Sequence, residues 1–485
     1  MGLVSKNVVR AVHWRLIIKF AVVGLVFALY YSLGNLDYNL KLAPHEGYHP
    51  EAADNILFVP AFPVFWNALE HSHAGALFVN EFSNFKYDLE LGVRKVSGIR
   101  PTPTRWQLWL GPQMLAANHG GDWGACFHPG ILLRSAGALH ALMTSEVDDL
   151  GTRQFGDLFY VWHDGFIIVS PHHSYIRAVL ESPAISDTSI VASDSLAFQR
   201  NGEDTDLMVE IQASREIFLR GYMSDSRFAG GGKPFETIDL PEDMLQPLFV
   251  LGATNWADSH IVLDYLLTVL EDGLPEGYSF LKHLTRYLVP DFDVVFQETL
   301  DTINNLNDPA AYLILMDIDT SESLPIPEFA LISRTSGGAA MRHPFYWLNE
   351  RAESIPFYWN DRDGLLVPFS GEKMTFCLAQ DLRYYYLTSQ EPLMAGLLGQ
   401  CSSGRRLNGD LLLQIYWPAY ADMFRDLTMH NARLGLVGTK DDIVMGKNIT
   451  PISGLLKSLG NLELVGYSRE GLFEFRGYLA RAELT

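Results

Sequence analysis

The stretch Leu16 to Leu33 constrains this chain more than any other feature. It is apolar apart from Lys19, and from Phe20 onward it reads FAVVGLVFALYYSL. Its eighteen residues would span about 27 Å as a helix, close to one hydrocarbon core. Lys19 lies near one end, where it can snorkel to the headgroups, and Tyr30 and Tyr31 suit the opposite interface. Residues 1–36 carry Lys6, Arg10, Arg15 and Lys19 and no acid. The positive-inside bias then leaves residues 1–15 in the cytoplasm and the bulk outside, on a cell inner membrane. A cleaved signal peptide is the competing reading, but no A-x-A-type site follows in Ser32 to Leu36.

Behind this segment the charge reverses. The whole chain of 485 residues carries −21, so residues 37–485 carry −25. An acidic body argues against a general grip on nucleic acid, which needs clustered Lys and Arg. Hydrophobic residues at 48% against 19% charged make a core-forming composition. Three cysteines exclude a disulfide scaffold.

The body reads as a duplication. Strand–helix modules are expected at 76–79 with 84–96, 248–251 with 256–271, 206–211 with 214–223, and 410–415 with 418–430. Hairpin–helix modules are expected at 159–161, 166–169 and 172–181, and again at 376–378, 384–387 and 390–398. A further hairpin block lies between them in each half: 106–110, 114–117 and 124–127, then 312–318 and 328–333. The order is the same in both halves, and repeated order is stronger evidence than any single short match. The expected fold class is α+β: an N-terminal transmembrane helix at 16–33, a tether at 34–55, and two similar mixed or antiparallel-sheet domains at 56–230 and 240–430, with helices packed on one face. Gly230, Gly231, Gly232 and Pro234 make a plausible link between them. Residues 431–485 form a C-terminal extension with a closing hairpin, 462–467 and 472–479.

Motifs with chemical meaning are few. His45-Glu46-Gly47-Tyr48-His49 matches H-E-x-x-H, which binds zinc when two histidines share a helix face. Here Pro44, Gly47 and Pro50 oppose a helix, so a solvated linker is the expected state. Glu70, His71 and His73 form a second cluster, and His172 and His173 a third beside Pro171. Polar residues gather at helix starts, and structural roles are expected for both. Ser83–Lys86, Ser279–Lys282 and Ser370–Lys373 match S-x-x-K, but no K-T-G accompanies them and no G-x-S-x-G is present. Gly230-Gly231-Gly232-Lys233 lacks a following helix start, so it is no phosphate loop. Cys126, Cys377 and Cys401 form no C-x-x-C. Outside the cytoplasm Cys377 and Cys401 could pair. Trp106 to Trp123, with Asn118, His119, Gly120, Gly121 and Asp122 at a turn, and Trp162 to Asp164 at another, could form a binding face or could simply be core and turn. The sequon Asn448-Ile449-Thr450 matters only in a eukaryotic secretory setting.

No catalytic, cofactor-binding or metal-binding residue is assigned on these grounds. The layout resembles uncharacterised bacterial envelope families with one N-terminal transmembrane helix and an ectodomain of repeated strand–helix units. The likeness rests on residues 16–33 and on stretches such as Asp157 to Leu180, and it implies no activity. The expected function is a non-catalytic, membrane-anchored envelope protein that binds another envelope protein or assembles a complex. An envelope hydrolase with an unrecognised site is the alternative.

Overall fold

The structure is a computed structural model. It describes residues 46–72, 111, 113–187, 191–192, 194–202, 205–214, 216–241, 244, 246–262, 265, 298–299, 301–303, 310–319, 326–335, 343–350, 354–359, 362–369, 374–433, 457 and 460–480. The chain divides into two compact units, one made of 1–71, 84–203 and 207–214, the other of 72–83, 204–206 and 215–485.

The first unit contains β1 (Glu46–Pro50), β2 (Asn55–Val59), α1 (Phe62–His71), β3 (Met114–His119), β4 (Asp122–Phe127), α2 (Ile131–Met143), β5 (Arg153–Phe155), β6 (Leu158–His163), β7 (Phe166–Ser170), α3 (His173–Glu181), β8 (Pro183–Asp187), β9 (Ser195–Asn201) and most of β10 (Thr205–Ala213). Its antiparallel ladder runs β5-β6-β7-β4-β3-β2-β9. Local chemistry sets the hairpins. Between β6 and β7 the two-residue loop is Asp164 (φ 47°) and Gly165 (φ 86°); between β3 and β4 it is Gly120 (φ 59°) and Gly121 (φ 88°). Two successive positive φ values are what a tight twisted hairpin requires. Alternation does the rest: Leu115 and Ala117 of β3 point into the core while their neighbours do not. The helix α3 follows the β6–β7 hairpin and buries Tyr175, Ile176 and Val179 against this sheet.

The second unit contains β11 (Ile217–Asp225), β12 (Glu236–Asp239), β13 (Phe249–Ala253), a helix over 256–262, β14 (Ala311–Asp319), β15 (Ile326–Arg334), a 3-10 helix (Pro344–Glu350), β16 (Ile355–Trp359), β17 (Arg362–Phe369), β18 (Met374–Gln380), β19 (Tyr384–Thr388), α4 (Glu391–Leu397), β20 (Ser402–Arg406), β21 (Leu411–Tyr416), α5 (Trp417–Arg433), β22 (Asn461–Arg469) and β23 (Leu472–Ala480). Its antiparallel ladder runs β16-β17-β18-β19-β15-β14-β13-β21-β22-β23-β11.

Within these ladders the same order occurs twice. The run β6-β7-β4-β3-β2-β9 matches β18-β19-β15-β14-β13-β21 strand for strand. A helix follows β2 and another follows β13. The helix α3 follows β7 as α4 follows β19, and α4 buries Leu393, Met394 and Leu397 at the spacing α3 uses. Each unit also has a separate two-stranded ribbon, β1 with β8 and β12 with β20.

Several expectations need correction. The fold class is not α+β: strand accounts for 51% and helix for 22% of the described residues. Among these residues no helix is long and apolar enough to cross a membrane. Leu16 to Leu33 lies outside them, and the membrane-anchored part of the expected architecture is withdrawn, together with the single-pass signal-anchor description. Residues 46–50, expected in a solvated tether, form β1. Its one proline, Pro50, is tolerated because a ribbon strand has few ladder donors to lose, and it lies opposite Pro183. The helix expected at 214–223 is instead strand β11, held against β23 over eight residue pairs. The counterpart of 410–415 is β9 rather than 206–211, since β9 flanks β2 as β21 flanks β13. The closing hairpin, β22–β23, is integral to the second unit's sheet rather than an extension. Expected strands at 76–79 and 106–110 and the expected helix at 84–96 lie outside the described residues.

Candidate functional site

The histidine clusters do not converge. Glu46 to His49 is strand, not helix, and the buried His49 ring meets the Pro50 carbonyl through Nδ1 at 2.7 Å; His45 lies outside the described residues. His71 Nδ1 meets the Asn67 carbonyl at 2.7 Å, and His73 lies outside. The two neighbours at the start of α3 diverge: His172 Nδ1 lies 3.2 Å from Asp122 Oδ1, and His173 Nε2 lies 2.7 Å from Asp148 Oδ2. Ser174 donates to the other oxygen of Asp122. Serine and histidine thus share an acid without meeting each other, which pins the start of α3 rather than activating a nucleophile. Among the described residues no three His, Cys, Asp or Glu groups could hold a metal.

The remaining sequence candidates disperse as well. All three serine–lysine strings and the sequon lie outside the described residues. Lys233 is tied by its backbone to Thr254: its N–H donates to Oγ1 at 3.1 Å and its carbonyl accepts from Oγ1 at 2.8 Å. Cys126, Cys377 and Cys401 are free and buried, so the Cys377–Cys401 bridge is not formed. Burial pushes each of these thiols up to about 12. Trp123 is exposed beside its turn, whereas Trp162 is partly buried against Gly137 of α2.

The site that does emerge comes from comparing the two ribbons. In the first unit β1 is pressed onto the sheet. Gly47 lies so close to Leu115 that a Cβ there would stand 3.1 Å from Cδ1. Tyr48 is buried, donates to Asp164 Oδ2 at 2.9 Å, and meets the rings of His163 and Phe166 edge-on at 4.8 and 6.0 Å.

In the second unit the ribbon is docked closely at its root, and beyond it long side chains bridge to the sheet: Ile238, Leu240 and Met244 pack against the core and Arg405 reaches Glu463. Phe235 is buried against Tyr312 with ring centroids 5.8 Å apart, the Tyr312 hydroxyl donates to the Glu236 carbonyl, and Arg334 pairs with Glu236 at 2.8 Å. A bulge then shifts the register between Glu236 and Ile238, which bends the ribbon. Beyond it a cleft of about 690 Å³ lies between residues 237–241, 244, 246 and 247 on one side and the sheet on the other.

The sheet side of the cleft is a product of register. Ile314, Val250, Gln414 and Glu463 stand directly opposite one another across β14, β13, β21 and β22. Leu412 and Tyr416 share their face by alternation along β21. Gln414 Nε2 donates to Glu463 Oε2 at 3.0 Å, and Arg405 of β20 pairs with the other carboxylate oxygen. The Glu463 hydrogen bond raises the Arg405 pKa further above its ordinary value. Burial, then the Glu463 charge, raises that of the Tyr416 hydroxyl, which stays a proton donor. Ile238, Leu240 and Met244 add apolar surface from the ribbon side.

The described lining holds no Ser, Cys, His or Lys, and the Glu463 carboxylate is already engaged through both oxygens. That set can orient a bound molecule, and its second carboxylate is Asp239, exposed on the ribbon. Sequence reasoning missed these residues. The one local signal was a polar Gln414 within the otherwise apolar run Leu411 to Tyr416. Comparison with known protein families, with curated proteins and with solved structures finds no match to this chain.

Proposed function

We propose that this protein acts by binding rather than by catalysis, and that the cleft of the second unit is its ligand site. The observation that carries this reading is the contrast between two equivalent ribbons, one with its backbone pressed onto the sheet at Gly47 and one that reaches its sheet through side chains such as Ile238, Leu240 and Arg405 and leaves a cleft of about 690 Å³. That volume falls in the range of small-molecule sites, roughly 300–1,000 Å³, and the walls mix apolar side chains with polar ones such as Gln246, Gln414 and Glu463. A duplicated fold in which one copy is closed and the other open fits a division between a structural and a binding unit.

The test uses Nile red, a neutral apolar dye, on the full chain. Saturable fluorescence enhancement with one site per chain is expected. Gln414→Trp, which places an indole on the sheet side of the cleft, is expected to abolish the enhancement while circular dichroism stays unchanged. Undiminished dye binding in the filled variant would refute the assignment.

A further inference from the structure

We infer that the cleft selects an organic monocation with an apolar body, such as an alkyl- or arylammonium compound; this rests on the binding reading above and adds the chemistry of the ligand. Among the described residues three charged side chains line the cleft: Asp239, Glu463 and Arg405. Arg405 and Glu463 form an ion pair with each other, so they largely cancel. The charge left over is that of Asp239, which is exposed on the ribbon. A site with net charge −1 in a chain carrying −21 concentrates cations and repels anions.

The neutral walls point the same way. Tyr416, only partly buried, lines the cleft, and an aromatic face attracts ammonium groups through its quadrupole. An anion would find no uncompensated cation there, because Arg405 is committed to Glu463. A metal ion is a poor match, since the apolar wall that includes Ile314 would leave most of its coordination sphere empty. A cation carrying its own apolar surface satisfies both the charge and the wall.

The test is isothermal titration of the full chain with tetraphenylphosphonium and with tetraphenylborate, two ions of nearly equal size and shape but opposite charge. At low ionic strength the cation is expected to bind at least about tenfold more tightly than the anion. Asp239→Asn is expected to weaken cation binding about fivefold to tenfold, and Arg405→Gln to tighten it by a similar factor. The anion should respond in the opposite sense to both substitutions. Equal binding of the two ions, or preference for the borate, overturns the cation assignment and leaves the binding cleft standing. Binding of neither ion, together with a failed Nile red titration, overturns both.

Discussion

The contact between α3 and the first sheet can be tested at one atom. Gly124 of β4 lies beneath the Tyr175 ring, so that a Cβ there would stand 2.3 Å from Cε1, 2.4 Å from Cδ1 and 2.8 Å from the Val169 carbonyl oxygen. All three are shorter than any real Cβ contact. Tyr175 is 1% exposed and sits in the core with Ile176, Val179 and Leu115, so the ring has no room to swing away. Gly124→Ala is therefore expected to cost about 3 kcal/mol, the upper end for overpacking. The Tyr175 hydroxyl is buried with no hydrogen-bond partner among the described residues. Tyr175→Phe should then leave stability within about 1 kcal/mol of wild type and leave the Gly124→Ala cost intact. Tyr175→Leu should relieve the clash, giving a coupling of more than about 1 kcal/mol in the double-mutant cycle. The assay is hydrogen exchange resolved by peptide, because two compact units need not unfold together. Protection is expected to fall in 114–127 and 173–181 and to hold in 374–397. A Gly124→Ala cost below about 0.5 kcal/mol, or strict additivity with Tyr175→Leu, would refute the packing argument.

Two further outcomes follow from buried groups. The three thiols are buried, with pKa values pushed up to about 12, so native protein at neutral pH should resist iodoacetamide while denatured protein takes up label at all three; rapid native labelling of any one, read by mass spectrometry, would contradict its burial. Burial holds the His343 ring at about 4, below its ordinary 6.5, with Nε2 3.1 Å from the carbonyls of both Ala379 and Tyr386 and Nδ1 accepting from the Phe345 N–H at 3.3 Å. The unfolded chain then takes up the proton first, so the contribution of His343 to stability is full above 6.5 and is lost as pH falls toward 4. The loss amounts to at most about 3 kcal/mol; His343→Gln should flatten this part of the pH profile of the guanidinium unfolding midpoint, and an unchanged slope would show that His343 titrates freely.

Much of the local structure was legible. The turns at His163-Asp164-Gly165 and Asn118 to Asp122, the hairpins that turn at 164–165 and 381–383, and the helices at 173–181 and 391–397 follow from alternation, turn residues and a short apolar stripe. Those signals are carried within ten or so residues. Segment 217–225 went astray for a related reason. Its apolar-in alternation is blurred because Phe218 and Tyr222 occupy exposed positions and Gly221 interrupts the run, and its pairing with β23 lies some 250 residues away in sequence. The H-E-x-x-H string taught a different lesson. The prolines correctly argued against a helix, yet the segment is a buried ribbon strand, because β8 supplies its partners.

The sequence by itself determined several of the strands, the tight hairpins, the buried faces of α3 and α4 and the acidic balance, since each is written in neighbouring residues. It did not determine that β2 would lie between β3 and β9, or that β13 would lie between β14 and β21. Nor did it show that Ile314, Val250, Gln414 and Glu463 would form one row, or that one ribbon would close and the other stand open. Those outcomes depend on register between strands far apart in the chain, where a shift of one residue turns every side chain to the other face. No local pattern encodes such a register; only the packed sheet selects it. The cleft, and the chemistry assigned to it, therefore became visible only in three dimensions.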